Sequence, residues 1–265
     1  MDEKHKALDD YTKGLEITPN DVKALLYRSK IRDHLGDDIG AIEDCRKALL
    51  VDPNNPDVYY FRAQAEYDLP NYLAVVDDCT RAIELKKNYY EAYVLRGNAY
   101  DYLTHYQSAL KDYSKAIEIK PDEVEAFLQR AIAKAAKKDF VGALSDLTKA
   151  ISLKPGDASL YLQRSKIKFA NKNYKASLDD VSACILLDPA VAGNYYFRGV
   201  INDSLKNKKE ACNDMMMAYN RKSEDAYHYL KNNCEKEIST KAFKGADLEI
   251  QGLEKEGKGL YTCLL

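Results

Sequence analysis

Residues 90–123 read YEAYVLRGNAYDYLTHYQSALKDYSKAIEIKPDE. Tyr93, Gly97 and Tyr100 recur every three to four positions, the spacing of one helix face. Leu103 ends that run. Ala109, Tyr113, Ala116 and Ile117 form a second stripe with helical spacing. Pro121 closes it, because proline has no N–H with which to continue a helix. The stretch predicts a helix, a tight turn and a second helix.

The pattern returns along the chain. Pro19, Pro53, Pro121, Pro155 and Pro189 fall on one 34-residue grid, with Lys87 and Ser223 at the two remaining points. At the turn, His105 stands where other repeats carry Asp37, Asn71, Asp139, Asn173 and Asn207. Asp and Asn there are strong N-caps, since their side chains accept from free backbone N–H groups. Three columns are almost uniformly small. They are Ser29, Ala63, Gly97, Ala131, Ser165, Gly199; Ala41, Val75, Ala109, Ala143, Ser177, Ala211; and Ala48, Ala82, Ala116, Ala150, Cys184, Ala218. Small residues at fixed points let helix backbones approach closely. A large column lies beside them: Leu25, Tyr59, Tyr93, Phe127, Tyr161, Tyr195. One such hairpin buries too little surface alone, and stacked hairpins share a continuous core.

The same grid holds Arg28, Arg62, Arg96, Arg130, Arg164 and Arg198, so 22–225 contain no insertion or deletion. A charge in the most apolar part of each repeat needs a partner. The position equally far beyond the turn reads Asp44, Asp78, Asp112, Asp146, Asp180 and Asp214. An antiparallel hairpin sets these columns side by side, which predicts a structural Arg–Asp ladder with the guanidinium fork gripping a carboxylate. Asp10 occupies the same column. A register in which each arginine reaches the preceding repeat, Asp10 to Arg28 onward, stays open beside the intrahairpin one.

The period, the small columns, the early aromatic and the closing proline resemble the tetratricopeptide repeat. The resemblance implies an all-α, right-handed α-solenoid of antiparallel helix hairpins. It covers six full repeats, 22–55, 56–89, 90–123, 124–157, 158–191 and 192–225. Residues 1–21 match a half-repeat made of a second helix. Residues 226–237 look like a capping helix, and 238–265 break the pattern as a tail or an extra helix. One departure is consistent: arginine stands where the family usually carries leucine.

In that family the first helices line a groove. Carried onto this chain, the groove-facing positions include Tyr60, Tyr67, Asp68, Val94, Asn98, Asp101 and Tyr102, then Leu128, Ile132, Leu162, Lys166, Phe169 and Tyr196. Aromatics and exposed apolar patches are typical of interfaces. The carboxylate clamp of chaperone-binding members is not matched: Asn98 fits one element, but Val94 stands in the lysine place. A partner segment with apolar anchors and some positive charge suits Asp68 and Asp101 better. The resemblance thus implies a scaffold that binds a peptide segment or helix of another protein. Two competing readings are self-association through an apolar N-terminal edge and the targeting domain of a larger protein.

Composition excludes other classes. Lys and Arg number 40 and Asp and Glu 42, giving a net charge of −2 and no basic nucleic-acid face. No apolar run is long enough for a membrane span, and the first 20 residues lack a signal-peptide stretch. The chain reads as cytoplasmic by default, or extracytoplasmic if an export signal precedes Met1. His5, His34, His105 and His228 are scattered, and no phosphate-binding glycine motif or metal-ligand spacing occurs. Neither catalysis nor a cofactor or metal is expected. Cys45, Cys79 and Cys184 read as small core residues. Cys212 and Cys234 are the one pair placed to meet, and a bond between them would favour an oxidising compartment. Cys263, third from the end, does not fit a prenylation site.

Overall fold

The computed structural model describes residues 3–234. They form fourteen helices and, among the described residues, no strand. They divide into two compact units, one ending at Pro155 and one starting at Gly156. The first holds α1 (Glu3–Ile17), α2 (Val22–His34), α3 (Asp38–Val51), α4 (Pro56–Asp68), α5 (Tyr72–Leu85), α6 (Tyr90–Tyr102), α7 (Tyr106–Ile119), α8 (Val124–Ala136) and α9 (Phe140–Leu153). The second holds α10 (Ala158–Ala170), α11 (Tyr174–Leu187), α12 (Ala192–Ser204), α13 (Lys208–Tyr219) and α14 (Glu224–Asn233). In each unit consecutive helices pack as pairs, and each pair packs on the next. In the first unit α2, α4, α6 and α8 also touch in sequence, so the first helices of the hairpins form a layer.

The turns inside the hairpins share one backbone device. Gly36, Pro70, Thr104, Lys138, Lys172 and Lys206 all take positive φ. The following N–H reaches back to the preceding helix, as from His105 to the Tyr100 carbonyl at 2.8 Å. This is a helix-ending bond that satisfies an orphan carbonyl. Only the first of the six positions is glycine, so composition hid the turn. The expected caps are uneven. Asp37, Asp139 and Asn173 accept from the N–H groups of Gly40, Gly142 and Ala176, but His105 makes no such bond. Asn71 and Asn207 also cap nothing, because their amides turn back to Glu66 and Asn202.

The small columns are buried throughout. Their sizes are matched to what faces them. A Cβ on Gly97 would lie 2.5 Å from the ring of Tyr113, the largest fully buried side chain. Ala63 and Ala131 stand in the same column, with the smaller Cys79 and Leu147 at the facing grid position. The core is therefore packed repeat by repeat. In the second unit Cys212 and Cys234 form a disulfide across a Cα separation of 5.8 Å, joining α13 to the end of α14. The capping segment begins as α14 at Glu224; its residues 235–237, and the tail 238–265, lie outside the described residues.

Candidate functional site

Each arginine of the ladder column bonds the aspartate of its own hairpin. Arg96 Nε and Nη2 donate to Asp112 Oδ2 and Oδ1, both at 2.8 Å. Arg28–Asp44, Arg62–Asp78, Arg130–Asp146 and Arg164–Asp180 repeat this fork with bonds of 2.5–2.9 Å. Arg198 holds Asp214 through the same two nitrogens. In all but the first repeat the guanidinium also lies near the aromatic ring three residues earlier, as Arg96 over Tyr93 at 5.6 Å. A charge sits among aromatics because a ring and a carboxylate flank it.

The third nitrogen reaches the preceding hairpin. Nη1 of Arg96 donates to Thr80 Oγ1 at 2.9 Å, and Nη1 of Arg130 to Ser114 Oγ at 3.0 Å. Arg28 makes a longer contact to Thr12 at 3.5 Å rather than to Asp10. Arg46 stands where Arg62 would find its hydroxyl. A second donor often joins the aspartate. Arg32 meets Asp44, Lys134 meets Asp146, Lys168 meets Asp180 and Asn202 meets Asp214, at 2.8–3.0 Å. Glu66 and Tyr100 occupy this column for Asp78 and Asp112. Burial pushes these two carboxyls upward, against the pull of Arg62 and Arg96. The hydroxyl and second-donor columns are both visible on the 34-residue grid, but only the hairpin geometry gives them a role.

The face of first-helix residues is a different environment. In the first unit, Tyr67, Tyr72 and Tyr102 form one aromatic group. The rings of Tyr72 and Tyr102 stack at 4.6 Å, and Tyr102 is 62% exposed. Tyr60 is half-buried against Phe61 and Tyr89. Val94, expected on the groove surface, is only 8% exposed and packs with Tyr90, Ala116 and Ala126, so it offers little to a partner. The Asn98 side-chain carbonyl accepts from the Tyr113 hydroxyl at 2.9 Å. Leu128 and Ile132 are partly exposed on α8. In the second unit Lys166 is exposed, while Leu162, Phe169 and Tyr196 are partly buried against that unit's core. Phe169 packs on Tyr174 and Phe197.

Acidic groups on the first unit's face are not paired as in the ladder. Asp33, Asp38 and Asp68 bring carboxylate oxygens within 4.8 Å of one another, a set able to hold a cation. Oδ1 of Asp33 and Oδ1 of Asp101 are buried without a hydrogen-bond partner. Burial, with the charges of Asp68 and Asp38, pushes Asp33 up to about 6, and burial alone raises Asp101. Register explains the grouping. Positions 35 residues apart meet across neighbouring first helices: Asp33 meets Asp68, and Tyr67 meets Tyr102. By the same spacing the position that answers Asp101 is Ala136, which carries no charge or donor in its side chain. Sequence reasoning put Asp68 and Asp101 on this face but left out Asp38, which enters from the next helix.

The family model for the tetratricopeptide repeat matches residues 90–123, the hairpin α6–α7 with Arg96 and Asp112 at its centre. Residues 90–123 match a tetratricopeptide repeat, and the fourteen helices in a repeated hairpin pattern fit a protein built of such repeats. The solved structures that the chain resembles agree with this. A tetratricopeptide-repeat protein from Parabacteroides merdae is 21% identical over 86% of this chain and 91% of its own, with a TM-score of 0.66. MamA is 28% identical over 58% of this chain and 96% of its own, with a TM-score of 0.54. YrrB, described as a tetratricopeptide-repeat protein with an unusual peptide-binding site, is 19% identical over 68% of this chain and 92% of its own, with a TM-score of 0.57. Comparison with curated proteins gave no match. The repeat scaffold is one suited to protein interaction, and no described helix is long and apolar enough to cross a membrane.

Proposed function

We propose that this protein is an interaction scaffold whose first-helix face in the first unit holds a segment of a partner protein. The observation that carries the reading is the Tyr67–Tyr72–Tyr102 group. Most large aromatic residues of the ladder and turn regions are covered, yet Tyr102 is exposed. A rigid, exposed aromatic anchor beside polar groups is the usual composition of a binding hot spot. Leu128 and Ile132 extend the face with apolar surface. The peptide-binding site of YrrB, on the same kind of scaffold, lends support by analogy of fold. The test is photo-cross-linking from position 102 in lysate of the source cell, with position 141 as the comparison site. A partner captured from 102 alone, and lost from a Tyr67→Ala variant that melts like the native chain, is the expected result. Capture from 141 alone removes the reading.

The Cys212–Cys234 bond supports a narrower statement about location: the protein works in an oxidising compartment. Thiol alkylation of protein taken from the source cell, followed by mass measurement, tests it. Modification of both cysteines without prior reduction would count against it.

A further inference from the structure

We infer that the face between α2 and α6 is a receptor for a cationic side chain, a guanidinium or an ammonium, carried by the partner segment. This rests on the proposed function and names the chemistry that the face selects. Two neighbouring features carry it. The first is the carboxylate group of Asp33, Asp38 and Asp68, within 4.8 Å of one another, with His34 the one base that acts on Asp33. The second, one repeat along, is the stack of Tyr67, Tyr72 and Tyr102 beside the orphaned oxygen of Asp101.

The protein's own cations near this face are committed elsewhere. Lys30 places its ammonium 3.8 Å from the ring centroid of Phe61. Arg32 is held by Asp44 and Asp37. His34 is exposed beside Asp33 and is the one remaining base of α2 that acts on it. Elsewhere in the unit the buried ladder aspartates are each met by an arginine fork. Here the acids converge and the fork is missing, so the complement comes from outside the chain. The tyrosine rings decide the kind of cation. A ring face attracts an organic cation with an apolar stem and adds nothing to the coordination of a hard metal ion. Carboxylates beside aromatic faces suit arginine best, because its plane stacks while its edge bonds two oxygens.

The probe is a fluorescent, end-blocked peptide with two arginines and two lysines spaced among leucines. Its counterpart has glutamine at those four places. Anisotropy is read at low salt, since exposed charges are screened at high salt. The expected result is that the basic peptide binds the native protein at least tenfold more tightly than the glutamine peptide. Asp33→Asn with Asp68→Asn should remove at least that advantage and leave the glutamine peptide unchanged. Asp122→Asn, on an exposed loop, should change neither. Equal binding of the two peptides, binding of neither, or basic-peptide binding that survives the double variant overturns the inference. If both peptides bind equally and both are lost in Tyr102→Ala, the cation receptor falls while the docking face stands. A calorimetric titration with calcium or magnesium chloride covers the metal alternative. Heat that disappears in the double variant, with no difference between the peptides, reassigns the three aspartates to a metal ion and overturns the inference.

Discussion

Two sets of aspartates in the first unit differ in one respect: what faces them. Asp112 is buried on α7 and accepts two short bonds from Arg96. Asp101, half-buried at the end of α6, has an oxygen with no partner, and Asp33 on α2 has another. The residue type is the same and the repeat is the same. A carboxylate inside a hairpin is answered across the turn by a column that never varies. A carboxylate on the face is answered across repeats, 35 residues away, by whatever that repeat carries. The ladder is therefore architecture, closed on itself, while the face is open chemistry that differs from repeat to repeat.

The largest effect should come from breaking the closed set. Arg96→Met leaves Asp112 buried and alone, at a cost of about 3–5 kcal/mol, while Arg96→Met with Asp112→Leu should regain most of it. Urea unfolding followed by far-UV circular dichroism measures both. Equal losses in the single and double variants would mean that packing, rather than the charge pair, carries the effect.

The open set should respond with the opposite sign. Asp33→Asn removes a half-buried charge crowded by Asp68 and Asp38 and should raise stability at pH 7 by on the order of 1 kcal/mol, allowing for solvent screening. Asp112→Asn should lower it. If both lower it, the contrast between the two sets is wrong.

The same residue predicts a pH dependence. The folded value of Asp33, about 6, lies above the ordinary 3.8, so the folded protein binds the extra proton between them. Its contribution is present at pH 4 and is lost as pH rises through 6. The stability gap between Asp33→Asn and the native chain should therefore widen from pH 4 to pH 7. A constant gap would show that Asp33 is solvated as an ordinary carboxylate.

The smallest effect is a designed repair. Ala136→Arg places a cation opposite Asp101 and in the last turn of α8, where the helix dipole also favours it. A gain of about 0.5 kcal/mol is expected in the same unfolding assay. No gain, with unchanged helicity, would show that the 35-residue register does not bring these positions together.

Much of the fold was legible because a 34-residue period turns one hairpin into six readings of the same positions. The small columns, the large column and the arginine column each name a contact that every repeat must make. The turns were less legible. Thr104 and Lys138 take the left-handed backbone without being glycine, because the closing bond to the preceding helix holds them there. The caps misled at Asn71 and Asn207, whose amides had a nearer acceptor in the first helix. On the face, Val94 matched a groove position by number but packs with Tyr90 and Ala126. Phe169 carries its ring against Tyr174 and Phe197 as much as toward solvent.

By itself the sequence determined the repeat, its length and the residues that must be small, large or charged. These are demands made by backbone distance inside a hairpin, and they recur with the period. The tertiary structure decided which carboxylates have partners. It set Arg96 between Asp112 and Thr80, drew Asp38 in beside Asp33 and Asp68, and left an oxygen of Asp101 buried without a hydrogen-bond partner. Those outcomes depend on which side chains meet between successive repeats. Such meetings follow from the angle and offset of packed helices, which no single repeat contains.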